Sequence, residues 1–279
     1  MKNFKKLLAV LLAGLMLLSL AACGGKKDDV VKIGVLEADE IGMANMSTEE
    51  HWAHMNVDHN ISPDVELVFE HYNNLSTALM DLESGKIKNI IVEASAANYI
   101  ATRNEKVAVI ADKCVAYFSM MTMDSNKEVY DILNNAIKEM KADGTLEGLI
   151  ENELKAYIES DPEAKDLPHF DGARTIKIGV TGDLPPMDFV AANGKAAGFN
   201  IALLTEIANR AQVNFELVQI ETGSRAIALS SGKVDAVFWT RNAICTACGG
   251  ESAEIVEGAL VTESYFSDAS TFIMLKPEK

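Results

Sequence analysis

Lys32-Ile33-Gly34-Val35 recurs verbatim as Lys177-Ile178-Gly179-Val180, 145 residues further along, and Ser84-Gly85-Lys86-Ile87 recurs as Ser231-Gly232-Lys233-Val234, 147 residues further along. Within the copies the two landmarks stand 51 residues apart (Gly34 to Gly85) and 53 apart (Gly179 to Gly232). One four-residue match is easily met by chance, but a second at nearly the same offset marks two related halves in one chain. Two similar α/β lobes facing each other across a cleft are a common way to build a small-molecule site.

Around these landmarks the first half alternates strand and helix. Residues 31–36 and 65–69 read as strands and 48–57 as a helix. Leu75, Ala78, Leu79 and Leu82 give the next helix one apolar face, and Gly85 ends it. Residues 89–93 form a β-branched strand, 96–103 a short helix and 107–111 another strand. This is the rhythm of a mostly parallel sheet covered by helices. Residues 114–123 are extended and apolar. Ser125 and Glu128 have the spacing of a capping box, in which hydroxyl and carboxylate satisfy free amides at a helix start. Val129, Ile132, Leu133, Ala136, Ile137 and Met140 follow at helical spacing, Gly144 interrupts, and a second helix covers about 146–158. After a polar linker the rhythm restarts: strand 175–180, helix 199–211, strand 215–220, short helix 225–229, strand 234–239 and a closing strand 270–275.

The N-terminus reads as a targeting segment. Lys2, Lys5 and Lys6 precede an apolar run over residues 7–18, and Leu20-Ala21-Ala22-Cys23 places small residues before a cut site. That ending resembles a bacterial lipobox, which implies that Cys23 becomes the lipidated first residue of an anchored protein. A plain secretory signal with an incidental cysteine is the alternative. No other run is long and apolar enough to span a bilayer. The net charge is −16, and residues 1–22 hold three lysines and no acid, so the remainder stands at −19. Such acidity argues against nucleic acid or an anionic membrane surface as partner. Cys114 lies in an apolar stretch and reads as buried. Cys245 and Cys248 form a Cys-x-x-Cys pair for which a disulfide is expected outside the cytosol; a redox pair is the alternative, weakened by Gly249-Gly250 directly after it.

The second half resembles a known family. Residues 176–180, then Asp183-Leu184-Pro185-Pro186-Met187-Asp188-Phe189, Gly198-Phe199-Asn200, Ser231-Gly232-Lys233-Val234-Asp235-Ala236-Val237 and Glu263-Ser264-Tyr265-Phe266-Ser267-Asp268 look like the first lobe of an ABC-transporter solute-binding protein of the polar amino-acid class. The resemblance implies an α/β fold of two Rossmann-like lobes joined by a two-stranded hinge, type II periplasmic-binding-protein-like. The first half resembles the rest of that fold: residues 75–93 look like the second lobe's helix, turn and strand, 117–124 like the return crossover, and 138–145 like the closing helix. The order is reversed, which reads as a circular permutation, tolerated where chain ends lie close together. Two incomplete domains in tandem are the alternative. On the permuted reading, 1–22 is the lipoprotein signal peptide and 23–30 a tether. Residues 31–116 form a second-lobe-like unit, and 117–160 the crossover and closing helices packing on the other lobe. Residues 161–174 are a linker, and 175–279 a first-lobe-like unit ending in the return crossover. Leu275 is then expected near Lys32, with crossovers near 115–123 and 264–274.

In two-lobed sheets the ligand sits at the C-terminal ends of strands. Those positions are Thr181, Gly182, Asp183 and Leu184, then Trp239, Thr240, Arg241 and Asn242, and in the first half residues 37–40 and Glu93. Glu93 stands eight residues after Gly85, where the resemblance implies an acid that pairs with a ligand ammonium; an ordinary strand-end carboxylate is the alternative. Arg241 offers a two-pronged hydrogen bond to a carboxylate. Trp239 offers a stacking surface for a flat or cationic ligand, or sheet-end packing, and Phe189 an apolar wall. The family's Thr-x-Thr-x-x-Arg pattern is replaced by Ile244-Cys245-Thr246-Ala247-Cys248, and its Gly-Thr-Thr loop by Ala38-Asp39-Glu40. Two anion-gripping elements are missing, which favours a cationic or less acidic ligand over a standard α-amino acid.

Glu50, His51, His54, Asp58 and His59 cluster, but without a strict metal signature they read as a solvated polar helix, with a metal site as the alternative. No Ser/His/Asp arrangement, Walker loop or nucleotide glycine motif is visible, so neither an enzyme nor a cofactor is expected. The expected protein is extracytoplasmic and held to the cell membrane by an N-terminal lipid. It captures a small polar, amino-acid-like or cationic solute between its lobes and passes it to an ABC permease. A ligand-sensing lipoprotein with no transport role, or a thiol redox protein using Cys245 and Cys248, are the alternatives.

Overall fold

Strands β1 (Val30–Leu36) and β2 (Glu66–Tyr72), helix α1 (Leu75–Glu83), strand β3 (Asn89–Glu93), helix α2 (Ala94–Arg103) and strand β4 (Val107–Met123) make up the first half of the chain. Helices α3 (Lys127–Asp143) and α4 (Thr145–Leu149) follow, then a π turn at Ile150–Leu154 and helix α5 (Lys155–Glu159). The second half holds β5 (Thr175–Val180), β6 (Asp183–Leu184), β7 (Asp188–Val190), β8 (Ala196–Ala197), α6 (Phe199–Ala211), β9 (Asn214–Gln219), α7 (Arg225–Ser230), β10 (Ala236–Cys245), β11 (Glu251–Ala253), β12 (Ala259–Val261) and β13 (Phe266–Leu275). The structure, a computed structural model, describes residues 30–36, 66–160, 164, 166–245, 251–253 and 256–276. The expected leader, Cys23, the helix at 48–57, residues 37–40, the histidine cluster and Cys248 lie outside the described residues.

The expected α/β architecture of two lobes is observed. The strands run β2-β1-β3-β13-β4-β10-β5-β9, with β12 also on β4 and β11 on β10. In the first lobe β2, β1 and β3 are parallel and β13 lies antiparallel between β3 and β4. In the second, β9, β5 and β10 are parallel and β4 lies antiparallel between β10 and β12. Along this path each lobe therefore has the same strand order, and the antiparallel strand within it comes from the other half of the chain. β4 and β13 serve both lobes. Where they pass between lobes their pairing slips: Thr271 faces Ala111 but Ala269 faces Val115, leaving three residues of β4 opposite one of β13. An irregularity of this kind bends a strand pair. Ile33 and Met274 both pair with Asn89, from opposite sides, so these strands are about 9–10 Å apart.

The sequence repeat becomes a structural repeat. Gly85 (φ 77°) and Gly232 (φ 72°) end α1 and α7 in the left-handed region, donating to Leu82 O and Leu229 O at 3.0 Å each. Lys88 N then donates to Lys32 O and Asp235 N to Lys177 O, both at 2.8 Å, which sets β3 beside β1 and β10 beside β5. Gly34 and Gly179 sit where a methyl group would come within 2.7 Å of Ile87 Cδ1 and 2.6 Å of Ile220 Cδ1. In each lobe a residue without a side chain lets an isoleucine press onto the central strand.

Helix α3 packs on the second lobe through Val129, Leu133, Ala136, Ile137 and Met140, as its periodicity requires. The core they enter also holds Phe118, Ile176, Ile178, Phe199, Leu203, Leu204 and Ile207. Each large side chain fully buried there contributes roughly 1.5–3 kcal/mol. The first lobe's core is Leu75, Ala78, Leu82, Ile87, Ile90, Val92, Ala97 and Ile100.

Several local expectations need correction. The capping box does not form: a 3₁₀ turn at Asp124–Asn126 precedes α3, and the residue flanking the helix is Asn126. Glu128 instead pairs with Arg174, and Asn126 donates to Asp235. These partners come from the end of the linker and from the second half, and outcompete a local cap. The two strands expected at 107–111 and 114–123 are one strand of 17 residues. The strand expected at 234–239 runs on to Cys245, because its extension pairs with β4.

Gly198 adopts φ 111°, and a methyl group there would lie 2.3 Å from Met187 O. Chemical denaturation of Gly198→Ala is expected to show a loss of about 2–4 kcal/mol from strain and overlap together.

Candidate functional site

The loop after β5 is shaped by one buried carboxylate. Asp188 Oδ1 accepts from Thr181 N (2.9 Å), Thr181 Oγ1 (2.8 Å) and Gly182 N (2.8 Å). Its Oδ2 accepts from Asn200 Nδ2 at 2.9 Å. Asp188 is 2% exposed and Asn200 fully buried. A buried carboxylate is tolerated when its lone pairs are met in this way. Asn200 suits its position because its amide donates, whereas a carboxylate there would face a second one. The three-stranded β6-β7-β8 sheet continues from this loop and carries Asp183 and Phe189 toward the first lobe.

Asp183 crosses the seam. Its carboxylate accepts the Leu75 N–H at the start of α1, and burial, with the like charge of Asp188, pushes its pKa up. A carboxylate at a helix start is favourably placed relative to the helix dipole. Met187 reaches Ser95 Oγ (3.9 Å), and Phe189 meets Tyr99 at 5.9 Å and Tyr157 edge-on at 5.8 Å between ring centres. Phe189 thus lies in an aromatic cluster between the lobes. Beside it Arg103, over the Tyr99 ring at 3.7 Å, donates to Ile158 O (2.9 Å) and Ser160 O (2.7 Å) at the end of α5. A cation at a helix C-terminus meets carbonyls that have no partner in the helix.

Glu93 ends β3 and flanks the start of α2, and its side chain makes no capping bond. Next to it Asp268, on β13, accepts from Ser95 N and Ala269 N at 2.8 and 2.9 Å. Burial, offset in part by the bonds from Ser95, pushes the Asp268 pKa up, and the charge of Glu93 adds to that rise. Glu93, Asp183 and Asp268 therefore bring negative charge to the seam between lobes. Among the described residues, the charges acting on Asp183 and Asp268 are those of other carboxylates.

Trp239, Thr240, Arg241 and Asn242 do not lie in a loop. They form the middle of β10, where Thr240 pairs with Ser119, Arg241 with Phe118 and Asn242 with Tyr117. The backbone that a strand-end loop would offer to a ligand is occupied by the ladder to β4. Sequence reasoning missed the site roles of Asp268, Ser95 and Asp188. Asp268 stands in the quoted crossover motif, and an acid just after its aromatic pair was the available signal. Arg225 was read only as a helix start; it is buried, and its Nη1 donates to Phe238 O at 3.5 Å.

These features define a two-lobed α/β protein with an acidic seam at its strand ends. Residues 176–242 match the model of bacterial extracellular solute-binding proteins, family 3, so the resemblance read from the second half is borne out. A stretch of 126 residues is 29% identical to the ABC transporter arginine-binding protein 1 of Escherichia coli (strain K12). It covers 43% of this chain and 49% of that protein, so the match spans about half the relative's length. Among solved structures, the ligand-binding component of an ABC-type import system from Staphylococcus aureus, with zinc bound, aligns with a TM-score of 0.45 at 12% identity, over 88% of this chain and 66% of that one. The GluR0 ligand-binding core from Nostoc punctiforme, in complex with L-glutamate, aligns with a TM-score of 0.41 at 8% identity, over 88% and 85%.

Asn200→Asp sets a second carboxylate against Asp188 in a buried site. Denaturation at neutral pH is expected to show about 2–4 kcal/mol of destabilisation. The loss should shrink in acid, where a protonated side chain can donate again.

Proposed function

We propose that this chain is an extracytoplasmic substrate-binding protein that closes its lobes on a small cationic, amino-acid-like solute and delivers it to an ABC importer. The observation that carries this reading is the buried carboxylate of Asp268 beside Glu93 at the seam, where a positive charge would be the natural complement. The match over residues 176–242 supports the binding-protein reading, and the relation to an arginine-binding protein supports a ligand of this class. Binding and lobe closure make up the mechanism, with no bond made or broken. Glu93 and Asp268 neutralise the cationic group and Asp183 closes the far side. Arg241 and Asn242 orient the opposite end of the solute, with Thr240 beside them, and Trp239 and Phe189 supply apolar walls. The lobe order is permuted relative to the family, with the units divided at 116, 160 and 174. The reading includes cleavage before Cys23 and lipidation of that residue.

A thermal-shift series on the chain from Gly24 onward tests it, with arginine, lysine, polyamines, acidic amino acids and divalent metals, with and without chelator. A rise of several degrees with a cationic ligand, insensitive to chelator, is expected, since a ligand that binds only the folded state stabilises it. A response to acidic amino acids alone, or to metal alone, overturns the assignment. Co-purification with a permease distinguishes transport from sensing.

Glu93→Gln is expected to weaken that binding by about tenfold or more, equivalent to roughly 1.4 kcal/mol, with an unchanged unfolding midpoint in the absence of ligand. Titration calorimetry measures it.

Affinity for the cation should also rise with pH from the ordinary carboxyl value of 3.8 through the raised pKa of Asp268. The sign follows because a buried carboxyl with a raised pKa holds its proton longer, and only its ionised form attracts the ligand.

A further inference from the structure

The register of β4 against β10 places Cys114 directly opposite Cys245. Facing residues in an antiparallel ladder have Cα atoms about 4.5–5.5 Å apart, whichever kind of pair they form. Disulfides span Cα separations of about 4.4–6.8 Å, so either kind of pair is within range. The position is also notable within the fold. Cys114 is the last of three β4 residues opposite Ser270, where β4 passes between lobes, and Cys245 is the last residue of β10.

From this juxtaposition we propose that Cys114 and Cys245 form a disulfide that fastens the end of β10 to the crossover strand, leaving Cys248 as a free thiol. It is a modification site joining two halves of the chain; its placement rests on strand register and its oxidation on the location in the proposed function, not on the identity of the ligand. Formation is a two-electron oxidation by thiol–disulfide exchange. The two thiols lose their protons and a bond forms between their sulfur atoms. The electrons and protons reduce the S–S bond of a disulfide-carrying oxidant to two thiols. The extracytoplasmic side of a cell, to which the proposed function assigns the protein, supplies that class of oxidant.

The pairing has a direct competitor in Cys245 with Cys248, and peptide mapping separates them. The full chain is oxidised with glutathione disulfide, alkylated without reduction and digested with trypsin. Cleavage after Lys113, Lys127 and Arg241 puts Cys114 on the peptide 114–127 and both Cys245 and Cys248 on the peptide that begins at Asn242. The expected product is these two peptides joined, with one alkylated cysteine, separating on reduction. Cys248→Ser should retain the joined product and Cys245→Ser should lose it. Reduction of the unsubstituted protein should lower its thermal midpoint by several degrees, and the same treatment of Cys114→Ser should not. An alkylated Cys114 in the oxidised chain overturns the proposal, whether or not Cys245 and Cys248 have joined to each other. So does a joined product that survives in Cys245→Ser. Neither result bears on the ligand, so the proposed function stands or falls separately.

Discussion

Everything in this molecule depends on two strands that belong to both lobes. A buried strand must satisfy its N–H and C=O groups on both sides. β13 does so between β3 and β4 in the first lobe, and β4 between β10 and β12 in the second. Neither half of the chain contains a complete sheet. The lobes are consequently joined by sheet hydrogen bonds as well as by covalent connections. The pairing of β4 with β13 slips near Ala111 and Val115, an irregularity that bends a strand pair. Such a frame can bend at the slip while β3 and β13, which position Glu93 and Asp268, stay paired with each other.

The seam gathers side chains that serve two purposes. Asp183 meets the start of α1, Arg103 meets the end of α5, and Phe189 sits among tyrosines from both sides. These contacts hold the lobes together with polar groups of opposite sign at helix ends, an arrangement that water can replace at modest cost. The acids around Glu93 are of another kind. Burial and the charge of Glu93 both push the Asp268 pKa up, so holding two negative charges side by side there is unfavourable.

The repeat made the fold legible. Gly34, Gly85, Gly179 and Gly232 carry constraints that a short motif can express, namely close approach and left-handed turns. Helical period placed α1, α3 and α6 because their apolar faces follow from local spacing. What stayed hidden was decided between residues distant in sequence. The extension of β10 past Trp239 depends on pairing with β4, more than a hundred residues earlier, and no local pattern marks it. Glu128 fits a capping box by spacing, yet Arg174 takes it. Of the site, Glu93 and Asp183 could be found from their places at strand ends. Asp268 could not be separated from its crossover motif, because its significance lies in burial against Ser95 from the other half of the chain. Asp188 reads as one acid among many until its four donors are seen around it.

The sharing of strands also dictates an order in time. The first lobe's own strands lie between residues 30 and 111, but the strand that completes its sheet lies at Phe266–Leu275. During synthesis the early half emerges with an unfinished sheet and must wait for more than 150 further residues before it can close. Long-range pairing of this kind is slow, and an open strand edge in the meantime invites pairing with other chains. Such a chain gains from being held unfolded until Phe266–Leu275 has been made.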